Sequence, residues 1–176
     1  MHIFLSILAG GLLLFAGAWA WWQLVERRFT VLTPSKVMRA GAMKPGTLRR
    51  TVRTHGIRAV FDLRRDNEGD VAGEKSTLET IGCRHIHLPS TQVPDDDLRN
   101  QFLDLIENPE NRPALIHCTH GEGRAVLYGA LWLIECQGMD PETARKKSRW
   151  LTTKGSTFDV KREKGKYLRD YQRIRT

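Results

Sequence analysis

Ala114-Leu-Ile-His-Cys118-Thr-His-Gly-Glu-Gly-Arg124 runs from an apolar segment through a glycine-containing loop into a second apolar segment. Residues 114–117 are short and mostly apolar, which predicts a buried strand. From Gly123 to Gln137 apolar side chains recur at helical spacing, which predicts a helix. A strand that passes through a short loop into a helix is the repeating unit of α/β domains, so we expect this fold class.

The segments on either side of this stretch continue the alternation of strands and helices. Further strands are predicted at residues 37–40, 58–63 and 85–88, the first of them at the edge of the sheet. Further helices are predicted over residues 46–56, 74–81, 94–107, from 140 onward and over 161–176. The sequence therefore predicts one α/β domain over residues 36–176, in which helices flank a central, mostly parallel sheet of four or five strands.

A segment without charged residues precedes this domain. Residues 3–22 contain no Asp, Glu, Lys or Arg, and about 20 apolar residues suffice to cross a bilayer. Three tryptophans cluster at the C-terminal end of the segment, where indole rings favour the headgroup level. We therefore predict one transmembrane helix within a membrane anchor, residues 1–26, followed by a basic juxtamembrane connection, residues 27–35. A cleaved signal peptide and a buried core helix are the alternatives.

The charge pattern bears on location and partners. The chain carries a formal net charge of +8, and residues 27–53 contain many Lys and Arg residues and no acid. The positive-inside rule then predicts a single-pass membrane protein whose C-terminal domain is cytoplasmic, and a periplasmic or secreted domain is the alternative. The basic residues are scattered and match no nucleic-acid-binding motif, so no nucleic-acid partner is expected.

Cysteine is used sparingly. Cys83, Cys118 and Cys136 form no CxxC pair, so neither a disulfide framework nor a structural zinc site is expected. Cys118 differs from the other two because it begins the loop that precedes a predicted helix. Backbone N–H groups and the helix dipole at such a position bind phosphate and favour the thiolate form of a cysteine. Arg124 can reach back across the loop and hold two phosphate oxygens.

These residues resemble the motif of the protein tyrosine phosphatase superfamily, His-Cys-x-x-Gly-x-x-Arg, and the neighbouring segments are similar to compact bacterial dual-specificity-like members. The likeness extends over about residues 36–160. It implies phosphomonoester hydrolysis through a phosphocysteine on Cys118, with Arg124 as the phosphate-binding cation and no metal or cofactor. The substrate would be a phosphorylated protein or a small phosphoester. The residues expected to bind it are His117, Thr119, His120, Gly121, Glu122 and Gly123.

The sequence departs from the superfamily pattern at two points. Relatives carry an acidic proton donor in the loop that corresponds to residues 89–97, where Ser90 and Thr91 stand in this chain. Asp95 is the preferred catalytic acid, and Glu122 is the second candidate. The residue after Arg124 is Ala125, whereas relatives usually have a hydroxyl that assists hydrolysis of the intermediate. A phosphatase-like module that binds phosphorylated ligands with little turnover is therefore the alternative function. An arsenate reductase or sulfurtransferase is a third.

Overall fold

The computed structural model describes residues 10–18, 28–147, 158–159 and 161–175. The strands are β1 (Thr30–Thr33), β2 (Val37–Gly41), β3 (Ala59–Asp62), β4 (Arg84–His87) and β5 (Ala114–Cys118). The α-helices in this part of the chain are α1 (residues 10–18), α2 (Pro45–His55), α3 (Val71–Glu79), α4 (Asp96–Glu107), α5 (Arg124–Glu135), α6 (Pro141–Lys147) and α7 (Glu163–Arg169), and a 3₁₀ helix spans Pro109–Asn111. The alternation from β2 to α5 confirms the predicted α/β class.

The strands form one sheet in the order β1-β2-β5-β3-β4. The four strands β2 to β5 run parallel, and β1 runs antiparallel to β2. The prediction of a mostly parallel sheet of four or five strands is confirmed. Cys118 at the end of β5 lies opposite Gly41 on β2, and His117 lies opposite Asp62 on β3. The loop that follows β5 thus lies at the carboxyl edge of the sheet, where α/β folds bind ligands.

Strand β1 was not predicted, because it lies inside the basic segment that the sequence assigned to a connection, residues 27–35. Its Thr-Val-Leu-Thr sequence is rich in β-branched residues, which favour strands. Val31 is exposed and Leu32 is buried, as alternation along a half-buried strand requires. Since β1 covers one side of β2, the prediction that residues 37–40 form an edge strand was wrong.

The sheet is covered on both faces. Along β3, Ala59 and Phe61 belong to the larger hydrophobic cluster, whereas Val60 between them belongs to a smaller one that packs against α2. All twelve residues of α5 are buried, because this helix lies against the sheet with α4, α6 and α7 around it. The N-terminus of α5 is therefore fixed by the most completely buried helix among the described residues.

Local signals set the helix ends. Helix α2 ends at Gly56, whose positive φ of 59° is the left-handed conformation expected of a terminating glycine. Asp140 caps α6 by accepting a hydrogen bond from the backbone N–H of Thr143 at 2.9 Å. The predicted C-terminal helix, residues 161–176, is shorter in the structure, where α7 covers Glu163–Arg169.

The residues after α7 are tied to the end of α5 through Glu135, which is 2% exposed. Its carboxylate accepts hydrogen bonds from the hydroxyl of Tyr171 at 2.7 Å and from the backbone N–H groups of Ile174 at 3.0 Å and Arg175 at 2.9 Å. The C-terminal segment is thus bonded to the helix that begins at the cysteine loop.

The predicted transmembrane segment, residues 3–22, lies largely outside the described residues. Its described portion, α1, is helical, and Leu12, Leu13, Leu14 and Phe15 on it are exposed. Within the described residues, no helix combines the length and the apolar character needed to span a bilayer.

Candidate active site

The loop between Cys118 and Arg124 is held tightly against the end of β2. Gly121 has a φ of 70°, and a Cβ built on it would lie 2.5 Å from the backbone nitrogen of Gly41, so only glycine fits there. The buried guanidinium of Arg39 donates to the Gly121 carbonyl at 3.1 Å. The backbone N–H of Ala42 donates to the carbonyl of Thr119 at 3.2 Å. These contacts fix the curvature of the loop before any ligand is bound.

A cavity of about 180 Å³ opens over this loop. The residues that line it are Gln92, Cys118, His120, Glu122, Gly123, Arg124 and Lys164. The structure thus places five of the predicted site residues together. His117, Thr119, Gly121 and Asp95 are not among the lining residues: Thr119 and Gly121 serve the loop through their backbone, and His117 lies behind it.

Arg124 is buried, and its guanidinium is held in place by three acceptors. One nitrogen donates to the carbonyls of Leu63 at 2.7 Å and Ser90 at 3.1 Å. The other nitrogen forms a short ion pair with the carboxylate of Glu68. Two different loops therefore orient the arginine, and one of its nitrogens already binds an anionic group of the protein itself.

Glu68 lies on the charged loop between β3 and α3. Partial burial favours its neutral form, but hydrogen bonds from Arg124 and Arg65 outweigh this and lower the pKa of Glu68 to about 2. Glu68 is thus a carboxylate at any physiological pH. No sequence signal distinguishes Glu68 from the other charged residues of the loop, because its pairing with Arg124 depends on contact between distant segments.

A buried polar cluster lies behind the loop, around His117. Glu74 Oε1 lies 2.7 Å from His117 Nε2, at ion-pair distance but outside hydrogen-bond geometry. Asp62, which is fully buried, binds Arg64 through two hydrogen bonds of 2.9 and 2.7 Å and lies 3.3 Å from His85. Burial alone would raise the pKa of Asp62. Hydrogen bonds from His85 and Arg64, and the charge on His117, hold it far below its usual range.

Arg64 is the central cation of this cluster. It is 4% exposed and also donates to Glu74 at 2.9 Å. Ligand atoms of Asp62, Glu74 and His117 lie within 4.8 Å of one another, a spacing that could hold a metal ion. The guanidinium of Arg64, however, already binds both carboxylates, so a side chain fills the cation's role. The arrangement supports a structural role for the cluster in holding the His117 end of the loop.

Asp95, the predicted catalytic acid, caps helix α4. Its carboxylate accepts a hydrogen bond from the backbone N–H of Leu98 at 2.8 Å, and it does not line the Cys118 cavity. The structure therefore gives Asp95 the ordinary role of a helix-start acid. Glu122, the second candidate, lines the cavity but is half-exposed and ion-paired with Arg28. Gln92 is the residue of the 89–97 loop that reaches the cavity.

Lys164, at the start of α7, is a site residue that the sequence did not single out. It is 7% exposed, lines the cavity, and donates a hydrogen bond from Nζ to Oε1 of Gln92. Its Nζ lies 3.5 Å from the position of a Cβ built on Gly123. Burial lowers the pKa of Lys164 and the nearby charge of Arg124 adds to this, whereas Glu163 and Cys118 partly oppose the shift. Among the many basic residues of the C-terminal segment, no sequence signal distinguishes this one.

Cys118 is the only one of the three cysteines in contact with the cavity. Cys83 belongs to the smaller hydrophobic cluster, on the face of the sheet that does not carry α5. Burial raises the pKa of this thiol to about 11. It is an unreactive core thiol. Ala125 is fully buried in the first turn of α5.

Comparison with solved structures finds the same fold in several phosphatases. TpbA of P. aeruginosa matches with a TM-score of 0.66 and 20% identity over 83% of this chain and 86% of that one. The core catalytic domain of the PP-IP phosphatase Siw14 of S. cerevisiae matches with a TM-score of 0.65 and 15% identity over 82% of this chain and 85% of that one. The active form of Tk-PTP matches with a TM-score of 0.65 and 23% identity over 81% and 94%. At these identities the likeness establishes the fold.

A protein-family model supplies the activity. The model described as PTP-NADK, a DSP-PTPase phosphatase fused to NAD+ kinase, matches residues 22–165. This range contains the whole sheet, the cysteine loop and the start of α7. The match favours the phosphatase prediction over the arsenate reductase and sulfurtransferase alternatives. The chain belongs to this family of dual-specificity-type protein tyrosine phosphatases, and it is a cysteine-dependent enzyme that hydrolyses phosphomonoesters.

Proposed function

We propose that Cys118 is the nucleophile and Arg124 the phosphate-binding residue of this phosphatase. The observation that carries the proposal is their position in one cavity, at the two ends of a loop that joins the centre of the sheet to a fully buried helix. The loop backbone is held by Arg39 and Gly41 independently of any ligand. A cradle that is already formed needs little reorganisation when phosphate enters, which favours transition-state stabilisation.

The reaction proceeds in two displacements. The Cys118 thiolate attacks phosphorus, the bond to the leaving oxygen breaks, and a phosphocysteine forms. Water then attacks the phosphocysteine, the sulfur–phosphorus bond breaks, and inorganic phosphate leaves. In both steps the Arg124 guanidinium and the N–H groups of residues 119–123 bind the equatorial oxygens, where the charge of the transition state develops.

Arg124 must exchange its partner when substrate binds. The nitrogen that would meet a phosphate oxygen is paired with Glu68, whereas the other nitrogen is held by the Leu63 and Ser90 carbonyls. In this proposal the incoming phosphate displaces Glu68 and leaves the two carbonyl bonds in place. The arginine then keeps its orientation while one anion replaces another.

The substrate class follows from the charges around the cavity. Arg124 and Lys164 face it, while Glu122 lines it and Glu68 borders it through Arg124. Two cations and two carboxylates suit one phosphate group that replaces Glu68, and a densely phosphorylated ligand would meet repulsion from Glu122. A singly phosphorylated protein side chain or small phosphoester is therefore the proposed substrate. TpbA has been solved in complex with phosphotyrosine, a ligand of this class.

A phosphate-binding module with little turnover is the second candidate, and Ala125 favours it. This residue is fully buried beside Arg124 and offers no hydroxyl to the departing thiolate. In this reading Cys118 is phosphorylated once, and the phosphocysteine persists.

One time course separates the two candidates. The full chain in detergent is mixed with an aryl phosphate, with and without chelator, beside Cys118→Ser. Continuous turnover that persists with chelator and is lost in Cys118→Ser supports the enzyme. Release of one equivalent of phenol in a burst, followed by almost no further release, supports the binding module. Equal turnover in Cys118→Ser would refute Cys118 as the nucleophile.

We also propose that residues 3–22 anchor the protein in a membrane, with the catalytic domain in the cytoplasm. The support is the absence of charge over these residues, the basic stretch that follows them, and the exposure of Leu12 to Phe15 on α1. The test is membrane fractionation of the full chain under alkaline carbonate, beside a chain in which Leu13 and Leu14 are replaced by Arg. Release of the unaltered protein into the soluble fraction would refute the anchor.

A further inference from the structure

The cysteine phosphatase reaction needs a proton for the leaving oxygen, and the residue predicted to supply it does not reach the cavity. Asp95 caps α4. Glu122 is half-exposed and paired with Arg28, His120 is exposed, and Glu68 is bound to Arg124 as a carboxylate. The loop over residues 89–93 contributes the neutral amide of Gln92.

Lys164 is the buried ionisable group that remains. Its ammonium lines the cavity with Cys118 and Arg124 and lies near enough to both to interact with their charges. Gln92 holds it by accepting a hydrogen bond from Nζ. The carboxylate of Glu163, the preceding residue, acts on this ammonium through its charge. A buried ammonium whose hydrogen bond goes to a neutral amide is costly, and it is expected where the charge or the proton has a function.

The ammonium of Lys164 lies close to the loop in which the phosphate group would bind. Nζ lies 3.5 Å from the Cβ position of Gly123, the loop residue that precedes Arg124, and Gly123 has no side chain to separate the two. An aryl or alkyl oxygen that leaves a phosphate bound in the loop must exit through the same cavity. The Gln92 amide restricts the ammonium to this side of the loop.

We propose that Lys164 is the general acid of this phosphatase and donates a proton from Nζ to the leaving oxygen. As the Cys118 sulfur–phosphorus bond forms, the phosphorus–oxygen bond breaks and its electron pair goes to the leaving oxygen, which takes the proton. Lys164 is then a neutral amine. In the second step it accepts a proton from the attacking water, the sulfur–phosphorus pair returns to sulfur, and the ammonium is restored. The proposal rests on the hydrolysis through Cys118 proposed above.

The burial of Lys164 suits this role. An exposed lysine is too weak an acid to protonate a phenoxide efficiently at neutral pH, and burial with the nearby Arg124 charge makes the ammonium a stronger acid. Gln92 accepts a hydrogen bond without neutralising the charge, so the proton stays available to the substrate.

The test uses the full chain and a series of aryl phosphates whose leaving phenols range from acidic nitrophenols to unsubstituted phenol. Lys164→Met is compared with Lys166→Met, which removes an exposed lysine from the same helix. We expect the loss of kcat in Lys164→Met to be small for the most acidic phenol. It should grow to about 100-fold or more for phenyl phosphate, the range that general acids contribute. Lys166→Met should match the unaltered protein across the series.

The pH profile gives a second readout. The unaltered protein should lose activity on phenyl phosphate at alkaline pH as Lys164 deprotonates, and this limb should be absent for the most acidic phenol. If Lys164→Met does not fold, the proposal is tested by the Lys164→Gln variant and by the dependence of the alkaline limb of the unaltered protein on the leaving group. A loss in Lys164→Met that is equal for all leaving groups, or an alkaline limb that is independent of the leaving group, would overturn the proposal while leaving the phosphatase assignment intact. Absence of Cys118-dependent turnover in the unaltered protein would overturn both.

Discussion

Replacing Glu68 with glutamine measures how strongly the protein's own carboxylate competes with substrate for Arg124. Hydrogen bonds from Arg124 and Arg65 lower the pKa of Glu68 from an ordinary 4.5 to about 2, which corresponds to a preference for the charged form of roughly a few kcal/mol. Arg65 shares this effect, but its side chain is 60% exposed, and exposed pairs contribute roughly 0.2–1 kcal/mol. After allowance for solvent screening, we assign on the order of 1 kcal/mol to the pair with Arg124.

Phosphate must overcome this interaction in order to bind, and about 1.4 kcal/mol is a factor of ten in affinity. We therefore expect Glu68→Gln to bind inorganic phosphate about tenfold more tightly than the unaltered protein at pH 7. Competition against aryl phosphate hydrolysis, or titration calorimetry with phosphate, measures the change. Glu79→Gln is the matched control, since Glu79 is exposed and pairs with Lys75 at 3.9 Å, away from the cavity.

The same substitution should lower the free energy of unfolding by about 1 kcal/mol at pH 7. Because the pKa of Glu68 is depressed in the folded protein, its contribution is complete above about 4.5 and is lost as the pH falls toward 2. The difference between the two proteins should shrink over that interval. Unchanged or weaker phosphate binding by a folded Glu68→Gln protein would refute displacement. It would indicate that Glu68 orients Arg124 for substrate.

Three further predictions test the site and its support. Asp95→Ala should lower stability by about 1 kcal/mol through loss of the α4 cap, without changing kcat for phenyl phosphate. A drop in kcat in a protein of unchanged melting temperature would restore Asp95 as the acid. Ala125→Ser should raise the steady-state rate several-fold while the burst rate stays constant, and a constant steady-state rate would rule out slow phosphocysteine hydrolysis at this position. Asp62→Asn should cost about 3 kcal/mol at pH 7, because Arg64 then loses a buried charged partner. Since the pKa of Asp62 is depressed, this difference should decline below about pH 4 in denaturant titrations, and a constant difference down to pH 2 would contradict the assigned ionisation.

Much of the fold could be predicted because its central elements have strong local signals. Residues 114–117 are mostly apolar and the loop after them carries two glycines, so β5, the loop and α5 were placed correctly. Gly56 ends α2 because glycine readily adopts the left-handed conformation, and Asp140 begins α6 because its carboxylate caps the helix. Strand β1 was not predicted because four residues within a basic segment are too few to show a clear alternation of apolar and polar side chains. Only pairing with β2 makes them a strand.

The site was predictable only as far as it lies in one continuous stretch. Cys118 and Arg124 are six residues apart, and the roles that we propose for them follow from that spacing. Glu68 binds Arg124 from the loop between β3 and α3, and Lys164 lines the cavity from the start of α7. Both are distant in sequence from the cysteine loop, and each stands among other charged residues of the same type. For Asp95, the chain offers the same residue type for a helix cap and for a catalytic acid, and only the Leu98 hydrogen bond distinguishes them.

The carboxylate of Glu135 makes the C-terminal segment a permanent part of the catalytic domain. If residues 171–175 were to detach, this buried carboxylate would lose its three hydrogen bonds to Tyr171, Ile174 and Arg175 and would remain desolvated at the end of α5. Removal of these residues should therefore destabilise the end of α5, and a label joined there reports on the helix that begins at the phosphate loop.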